Sequence, residues 1–225
     1  VFIRDLEAEL SRDANTSEVG RDDRAILVFV TAGRNREDRE THLDEFRELA
    51  YSANLTVVDA ITQNRPRVDP KTLIGRGKLQ DLVIRAFQSD VDLVIFDQDL
   101  NPTQARNLAD RMELRVIDRT QLILDIFAQR ARTREGKMQI EMAQLQHILP
   151  RLTRFWTHLS RQKGGIGMRG DGESQLEVDR RRVQDRIARL KRELKEVKRI
   201  RTTQRQGRQR SHWPLVSIIG YTNAG

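Results

Sequence analysis

Cysteine is absent from the 225-residue sequence, aromatic residues make up only 5% of it, and the four histidines (His42, His147, His158 and His212) are scattered. Without thiols there are no disulfides, thiolate metal sites or cysteine nucleophiles, and histidines this far apart form no local metal motif. No run approaches the roughly 20 apolar residues of a membrane span, and no charged segment, apolar core and cleavage site follow one another near the N-terminus. The expectation is a chain with no membrane span in a reducing, cytoplasmic setting. The sequence opens with Val1 rather than Met, which reads as trimmed, and residues 1–22, polar and aperiodic after Leu10, read as a loosely held leader.

Charge is abundant: 41 Lys and Arg against 33 Asp and Glu, a net of +8. It is also unevenly spread. Up to Asp118 there are 17 basic and 23 acidic residues, net −6, and beyond it 24 and 10, net +14. The split suggests two modules, the second built to meet a polyanion, with nucleic acid favoured over the plainer reading of Arg-rich solvated helix faces.

The acidic part alternates short apolar runs with amphipathic ones. Ala25–Ala32, Leu55–Ile61, Asp92–Phe96 and Leu114–Ile117 read as buried strands. Helices are expected near His42–Ala53, over about Lys78–Gln88 and after Asn101-Pro102, where Asn as N-cap and Pro at the first helical position mark a start. This alternation predicts an α/β domain with a small, largely parallel sheet over 23–118. Before the second helix, Gly75-Arg76-Gly77-Lys78 offers two glycines, a lysine and a helix N-terminus, so Gly75, Gly77 and Lys78 form a candidate anion site. A tight turn feeding the helix is the preferred reading, because the segment is too short for either standard phosphate fingerprint.

The basic part, 119–210, shows two heptad stripes. Met138, Met142, Leu145, Leu149, Leu152, Trp156 and Leu159 step by four and three, as do Val183, Ile187, Leu190, Leu194 and Val197. A long antiparallel helical hairpin satisfies both, and the short connection favours pairing within one chain, a monomer, over pairing between chains. Pro150 should bend the first helix or cost it a backbone bond. Phe155 and Trp156 are expected to be core anchors. Ser174-Gln175-Leu176-Glu177 reads as a capping box opening the second helix. Between the helices the tip loop 163–172 carries Lys163, Gly164, Gly165, Gly167, Arg169, Gly170 and Gly172. Its small bulk and basic flanks suit a narrow groove of folded RNA, and a plain flexible linker accounts for its composition equally well. Arg180, Arg181 and Arg182, and the basic run from Lys195 to Arg210, are candidate phosphate contacts. No Ser/His/Asp or paired-acid catalytic arrangement can be assembled here. In the last segment, 211–225, the apolar run Leu215–Ile219 leads into Gly220-Tyr221-Thr222-Asn223-Ala224-Gly225, the glycine spacing of a P-loop after a strand. The Lys and Ser/Thr that complete such a loop do not follow, and an ordinary strand-turn is the alternative.

Several segments together resemble the HflX family of ribosome-associated GTPases. They are Val116–Thr120, Ile123–Ala131, Glu135–Gln139, Leu149–Leu152, Gly164–Gly167, Gln175–Glu177 with Asp179–Arg181, and Gly220–Gly225, with Gly75–Lys78 and Asp97–Leu108 fitting the same family. The likeness runs over nearly the whole chain after Asp22. Asp171 and Ser174 depart from it, standing where the family usually shows Pro and Thr. The resemblance implies a GTP hydrolase using Mg²⁺ that binds the large ribosomal subunit and its rRNA and splits or rescues ribosomes under stress such as heat. It implies that the hairpin tip reaches toward the peptidyl-transferase centre. It also implies that Gly220–Gly225 is the start of a GTP-binding P-loop in a GTPase domain cut short, leaving these 225 residues as the ribosome-binding part, inactive toward GTP alone. The competing class is a non-enzymatic RNA-binding or coiled-coil interaction module. A nucleotide site of the first domain's own, at Gly75–Lys78, is a third reading.

Overall fold

The computed structural model describes residues 23–31, 36–162 and 171–210, the side chains at 36–38, 153–162, 171–176 and 208–210 excepted. Strands and helices alternate first: β1 (Arg24–Thr31), α1 (Arg36–Ser52), β2 (Thr56–Asn64), α2 (Arg76–Gln88), β3 (Leu93–Phe96), α3 (Pro102–Met112), β4 (Arg115–Asp118) and α4 (Arg119–Arg130). Two long helices follow, α5 (Arg134–Gln162) and α6 (Asp171–Arg210). The four strands pair in the order β2-β1-β3-β4, every pair parallel. All four expected strands are present, within a few residues of their expected ends.

Burial on both faces explains why these strands are continuous apolar runs rather than alternating ones. Side chains of successive strand residues point to opposite faces. Ile26, Val28 and Val30 of β1 pack with Val94 and Phe96 against Leu79, Leu82 and Ala86 of α2 and Leu108 of α3. Ala25 and Leu27, with Leu93, Ile95 and Ile117, face Phe46 and Ala50 of α1 and Leu122 and Ile126 of α4. The sheet is therefore wound on both sides, two helices to a face. Each fully buried Leu, Ile or Phe contributes roughly 1.5–3 kcal/mol of transfer free energy to this arrangement.

Local signals set the element ends. Asn101 Oδ1 accepts from the Thr103 and Gln104 N–H groups at 2.9 Å each, Gln104 Oε1 accepts from the Asn101 N–H at 3.1 Å, and Pro102 takes the first helical position. At the other end of α3, Glu113 turns the chain with φ 54°. Thr133 Oγ1 accepts from the Gly136 N–H at 3.1 Å and opens α5. A Cβ on Gly136 would meet that hydroxyl oxygen at 2.9 Å, so the close cap requires the missing side chain.

Two boundaries differ from the sequence reading. The acidic and basic halves part at Asp118, yet α4 packs its Leu122 and Ile126 into the sheet's second core, so packing divides the molecule after Arg130. The apolar stripe of α4 was overshadowed by the charge shift that begins at Arg119. Second, α6 starts at Asp171 rather than at Ser174, so Ser174 lies inside the helix and is not its N-cap, and Gly172, assigned to the tip loop, is helical. α5 continues through Pro150 as one helix, where the proline, having no N–H, leaves one backbone bond unmade.

α5 and α6 form the expected antiparallel pair. Met138, Leu145 and Leu152 are buried against Val183, Ile187 and Leu190, with Met142, Leu149, Leu194 and Val197 at the margins. Direction is fixed by ion pairs: Glu135 meets Arg201 at 2.6 Å and Glu141 meets Arg186 at 2.6 Å, so partners on α6 fall as positions on α5 rise. The expected anchors Phe155, Trp156 and Leu159 lie outside the described side chains.

Candidate functional site

The hairpin is fixed to the sheet domain at one buried carboxylate. Asp118, at the carboxyl end of β4, is fully buried. Its Oδ1 accepts from the Gln121 N–H at 3.0 Å, capping α4, and its Oδ2 accepts from the Leu100 N–H at 3.1 Å. From α5, Arg151 Nη2 donates to the same Oδ2, and also to the Leu100 carbonyl at 3.3 Å, while Nη1 donates to Gln121 Oε1 at 3.2 Å. His147 Nε2 stands 3.3 Å from Oδ1, without the alignment of a hydrogen bond. Burial on its own would raise the Asp118 pKa. The contact with His147, the Arg151 charge and the Gln121 N–H outweigh it and hold this carboxyl well below the usual carboxylate range. One turn further on, Gln144 Nε2 donates to Asp125 of α4 at 3.2 Å. These contacts set where the hairpin projects from the sheet.

Beside this clasp is a cleft of about 650 Å³ between the two parts. Asn101, Pro102 and Thr103 at the start of α3 line one side, Leu149 and Pro150 of α5 and Arg180 of α6 another. Arg180 and Arg181 are exposed and have no ion-pair partner among the described residues. Arg182 differs, lying 3.6 Å from Asp179. The three arginines read together in the sequence thus split between free charge and internal pairing.

The segment Gly75–Lys78 is the start of α2, as expected. Neither of its glycines has a positive φ: Gly75 is the N-cap at φ −70°, and Gly77 has open space where a Cβ would lie. The preceding turn is held by Asp69, whose Oδ1 accepts from the Lys71 N–H at 2.8 Å and the Thr72 N–H at 3.1 Å. The Lys71 N–H contributes most to lowering the Asp69 pKa, against a smaller effect of burial, with Thr72 and the nearby Arg65 acting in the same direction as Lys71. The Gly75 N–H is already given to Gln63 Oε1 at 3.0 Å. No side chain caps α2, so backbone donors of its first turn stay open beside Lys78, and a Cβ on Gly75 would come 3.0 Å from Arg65 Nη1. The geometry is that of a tight turn with a basic rim.

In a doubly wound sheet, ligands are expected outside the carboxyl ends of the strands where the order reverses. Here that edge, between β1 and β3, is bridged by Gln98, whose Nε2 donates to the Val30 carbonyl at 2.7 Å. Around it stand Asp97, Asp99 and Glu45. Arg119 bridges two of them, at 2.7 Å to Asp97 and 2.5 Å to Glu45, and Thr120 Oγ1 donates to Asp99 at 2.6 Å, so one positive charge stands against three negative ones. Burial opposes the Arg119 charge, and the bonds to Asp97 and Glu45 more than restore it, raising its pKa. An edge this acidic repels a phosphate. No group of three or more His, Cys, Asp or Glu able to hold a metal occurs among the described residues, and no helix among them is long and apolar enough to cross a membrane.

Other sequence candidates lie outside the described residues: Lys163, Gly164, Gly165, Gly167, Arg169 and Gly170 of the tip loop, and Gly220, Tyr221, Thr222, Asn223, Ala224 and Gly225. The Asp118–Arg151 clasp was not singled out by sequence reasoning, although both residues fall in segments quoted for the resemblance. Its only sequence signal was a polar Asp closing an apolar strand run.

Two family descriptions match the chain, "GTP-binding GTPase N-terminal" over residues 40–128 and "GTP-binding GTPase Middle Region" over 130–208. Their boundary falls where packing divides the molecule. Curated relatives named GTPase HflX are similar across most of the chain. That of Lacrimispora saccharolytica is 48% identical over 91% of this chain and 48% of its own length, and that of Escherichia coli 48% over 90% and 47%. The chain spans about half the length of the curated relatives it matches. Among solved structures, a GTP-binding protein from the archaeon Sulfolobus solfataricus in complex with GDP is similar with a TM-score of 0.54 and 25% identity, over 79% of this chain and 46% of that one.

Proposed function

The chain belongs to the HflX family of GTPases, and from that membership we propose that it is the ribosome-binding part of a GTP hydrolase, engaging the large ribosomal subunit and its rRNA to split or rescue ribosomes under stress. One observation carries this reading: a long two-helix hairpin, rich in unpaired cations, is held in a fixed direction from a packed α/β domain by the buried Asp118–Arg151 pair. A rigid basic arm of this kind suits insertion into a folded polyanion, and the tip loop 163–172 with Arg180, Arg181 and Arg182 would make the contacts.

GTP belongs with Gly220–Gly225, and Mg²⁺ with the Ser/Thr that a P-loop places after its second glycine. When bound, the nucleotide and its metal supply the phosphoryl chemistry. No residue of this chain is assigned to guanine recognition, metal ligation or positioning of the attacking water, so these 225 residues alone are not expected to hydrolyse GTP.

Co-sedimentation of the chain with purified large ribosomal subunits across a salt series tests the proposal. Beside it goes a variant with Gly164 to Gly172 replaced by a Ser-rich linker of equal length. Salt-sensitive binding that falls with the loop replacement is expected. A chain that stays in the supernatant even at low salt overturns the reading for this part of the protein.

A further inference from the structure

The flank of α2 that looks away from the sheet is apolar near its end. Phe87 is 89% exposed and Ile84 55%. They lie three positions apart, hence on one side of the helix, next to Val83, which packs into the sheet's first core. Single exposed apolar residues are ordinary on a protein surface, and Tyr51, Val68, Val178 and Ile200 are of that kind. A neighbouring pair with one ring almost bare is not. The turn after α2 also fixes where residues 1–22 join the domain. Arg24, the first residue of β1, donates from Nε to the Asp90 carbonyl at 3.1 Å and from Nη2 to the Ser89 carbonyl at 3.0 Å, and its N–H goes to Asp92 at 2.8 Å. Ser89 is the C-cap of α2, two positions past Phe87. The N-terminal segment is thus tied to the sheet beside the exposed pair.

We propose that Val1–Leu10 docks as an amphipathic segment on Ile84 and Phe87 of α2 in the same chain. At the helical repeat, Phe2, Ile3, Leu6 and Leu10 fall within an arc of about 100°, the width of a core-facing stripe, and Arg4, Asp5, Glu7 and Glu9 fall outside it. The polar connection Ser11–Asp22 is long enough: its 12 residues span up to about 40 Å when extended, twice the roughly 20 Å length of α2. Charge favours the pairing as well. Val1–Leu10 carries Asp5, Glu7 and Glu9 against Arg4, and α2 carries Arg76, Lys78 and Arg85 against Asp81. A tethered segment meets α2 at an effective concentration of about a millimolar, so it outcompetes a second copy of the chain in dilute solution. A lipid surface is a poorer partner, because helices that lie on membranes are rich in Lys and Arg on their polar face, and this one would be mainly acidic. The docking is independent of the ribosomal reading above.

Amide exchange over Val1–Leu10 tests this in the 225-residue chain, beside Ile84→Ser with Phe87→Ser and a control, Val68→Ser with Ile200→Ser, that alters two exposed apolar residues elsewhere. Circular dichroism checks that each keeps its helix content. Exchange over Val1–Leu10 should be about tenfold slower in the natural chain and the control than in the α2 variant. It should not change with protein concentration. A second measurement disturbs neither apolar surface. The sequence has no cysteine, so a nitroxide attached at Gln80→Cys, an exposed position one turn before Ile84, is unique and should broaden the amide signals of Val1–Leu10. Exchange at the rate of an unstructured peptide in the natural chain overturns the docking. So does slow exchange that the α2 variant keeps, or that the control loses equally, and so does a nitroxide that leaves the segment's signals sharp. Slow exchange found only at high concentration, with a dimer in sedimentation equilibrium, also overturns it and makes the occupant a second copy.

Discussion

Arg151 and Asp118 close on each other 33 positions apart in sequence, joining the middle of α5 to the end of β4, with the arginine side chain 10% exposed and the aspartate 0%. Such a pair gains little over an apolar contact of the same shape, because both charges are desolvated. Removing one partner is a different matter, since it leaves the other buried and unmatched. Arg151→Ala should therefore destabilise the chain by about 3–5 kcal/mol, read as a lower midpoint in denaturant unfolding. The double variant with Asp118→Ala should lose much less than the sum of the two single losses. Additive losses would mean that the two side chains do not act on one another.

The same carboxylate gives a pH signature. Its folded pKa is depressed below the unfolded value of about 3.9, so its stabilisation is fully present above that value and is lost as pH falls below about 4 toward the folded pKa. Stability of the natural chain and of Asp118→Asn should differ by a constant amount above about pH 5 and converge in stronger acid. A difference that grows as pH falls would reverse the sign of the linkage and refute the assignment.

How far the sequence reveals this molecule depends on the range of the interaction that decides each feature. The strands from Arg24 to Asp118 were legible because burial on two faces leaves an unbroken apolar run. The start of α3 was legible because Asn101, Pro102 and Gln104 cap it within four residues. The seam from Met138 to Leu152 needed only the heptad step. By contrast, α4 announces itself with Leu122 and Ile126 alone, amid a rise in positive charge that pointed to the other half. Which cations of α6 are paired was not legible either. It depends on which arginine meets Glu135 or Glu141 across the hairpin, and sequence spacing on one helix does not say.

Asn101 is an inexpensive probe of the sheet domain. Its side chain satisfies two N–H groups at the start of α3, so Asn101→Ala should cost about 0.5–2 kcal/mol, and Asn101→Asp should restore most of it. Thermal unfolding of the three proteins decides this. An alanine variant as stable as the natural chain would mean that water replaces the cap at no cost.

Gly77 separates the two readings of the segment before α2. It sits in the first turn of the helix with open space at its Cβ position and no left-handed φ. Gly77→Ala should therefore stabilise the chain by about 0.4–1 kcal/mol, because alanine has fewer unfolded conformations to lose. Inorganic phosphate should leave the unfolding midpoint of either protein unchanged. A phosphate-dependent rise in the natural chain, lost in the alanine variant, would instead make this turn an anion site.

Leu145 and Leu190 face each other's helices with no solvent exposure, in a core separate from the two that flank the sheet. Leu190→Ala should cost about 2–5 kcal/mol through lost transfer free energy and the cavity left behind. The position of that loss matters more than its size. The sheet cores contain no residue of α6, so amide exchange should rise over Val183–Val197 and the facing turns of α5 while Ile26–Val30 and Leu93–Phe96 keep their protection. Since Arg151 docks α5 independently of α6, α5 should retain its contacts near Asp118 even when α6 frays. Equal loss of protection in β1 and α6 would show that the sheet and the hairpin unfold as one unit, and the hairpin could not then be repositioned without unfolding the domain that carries it.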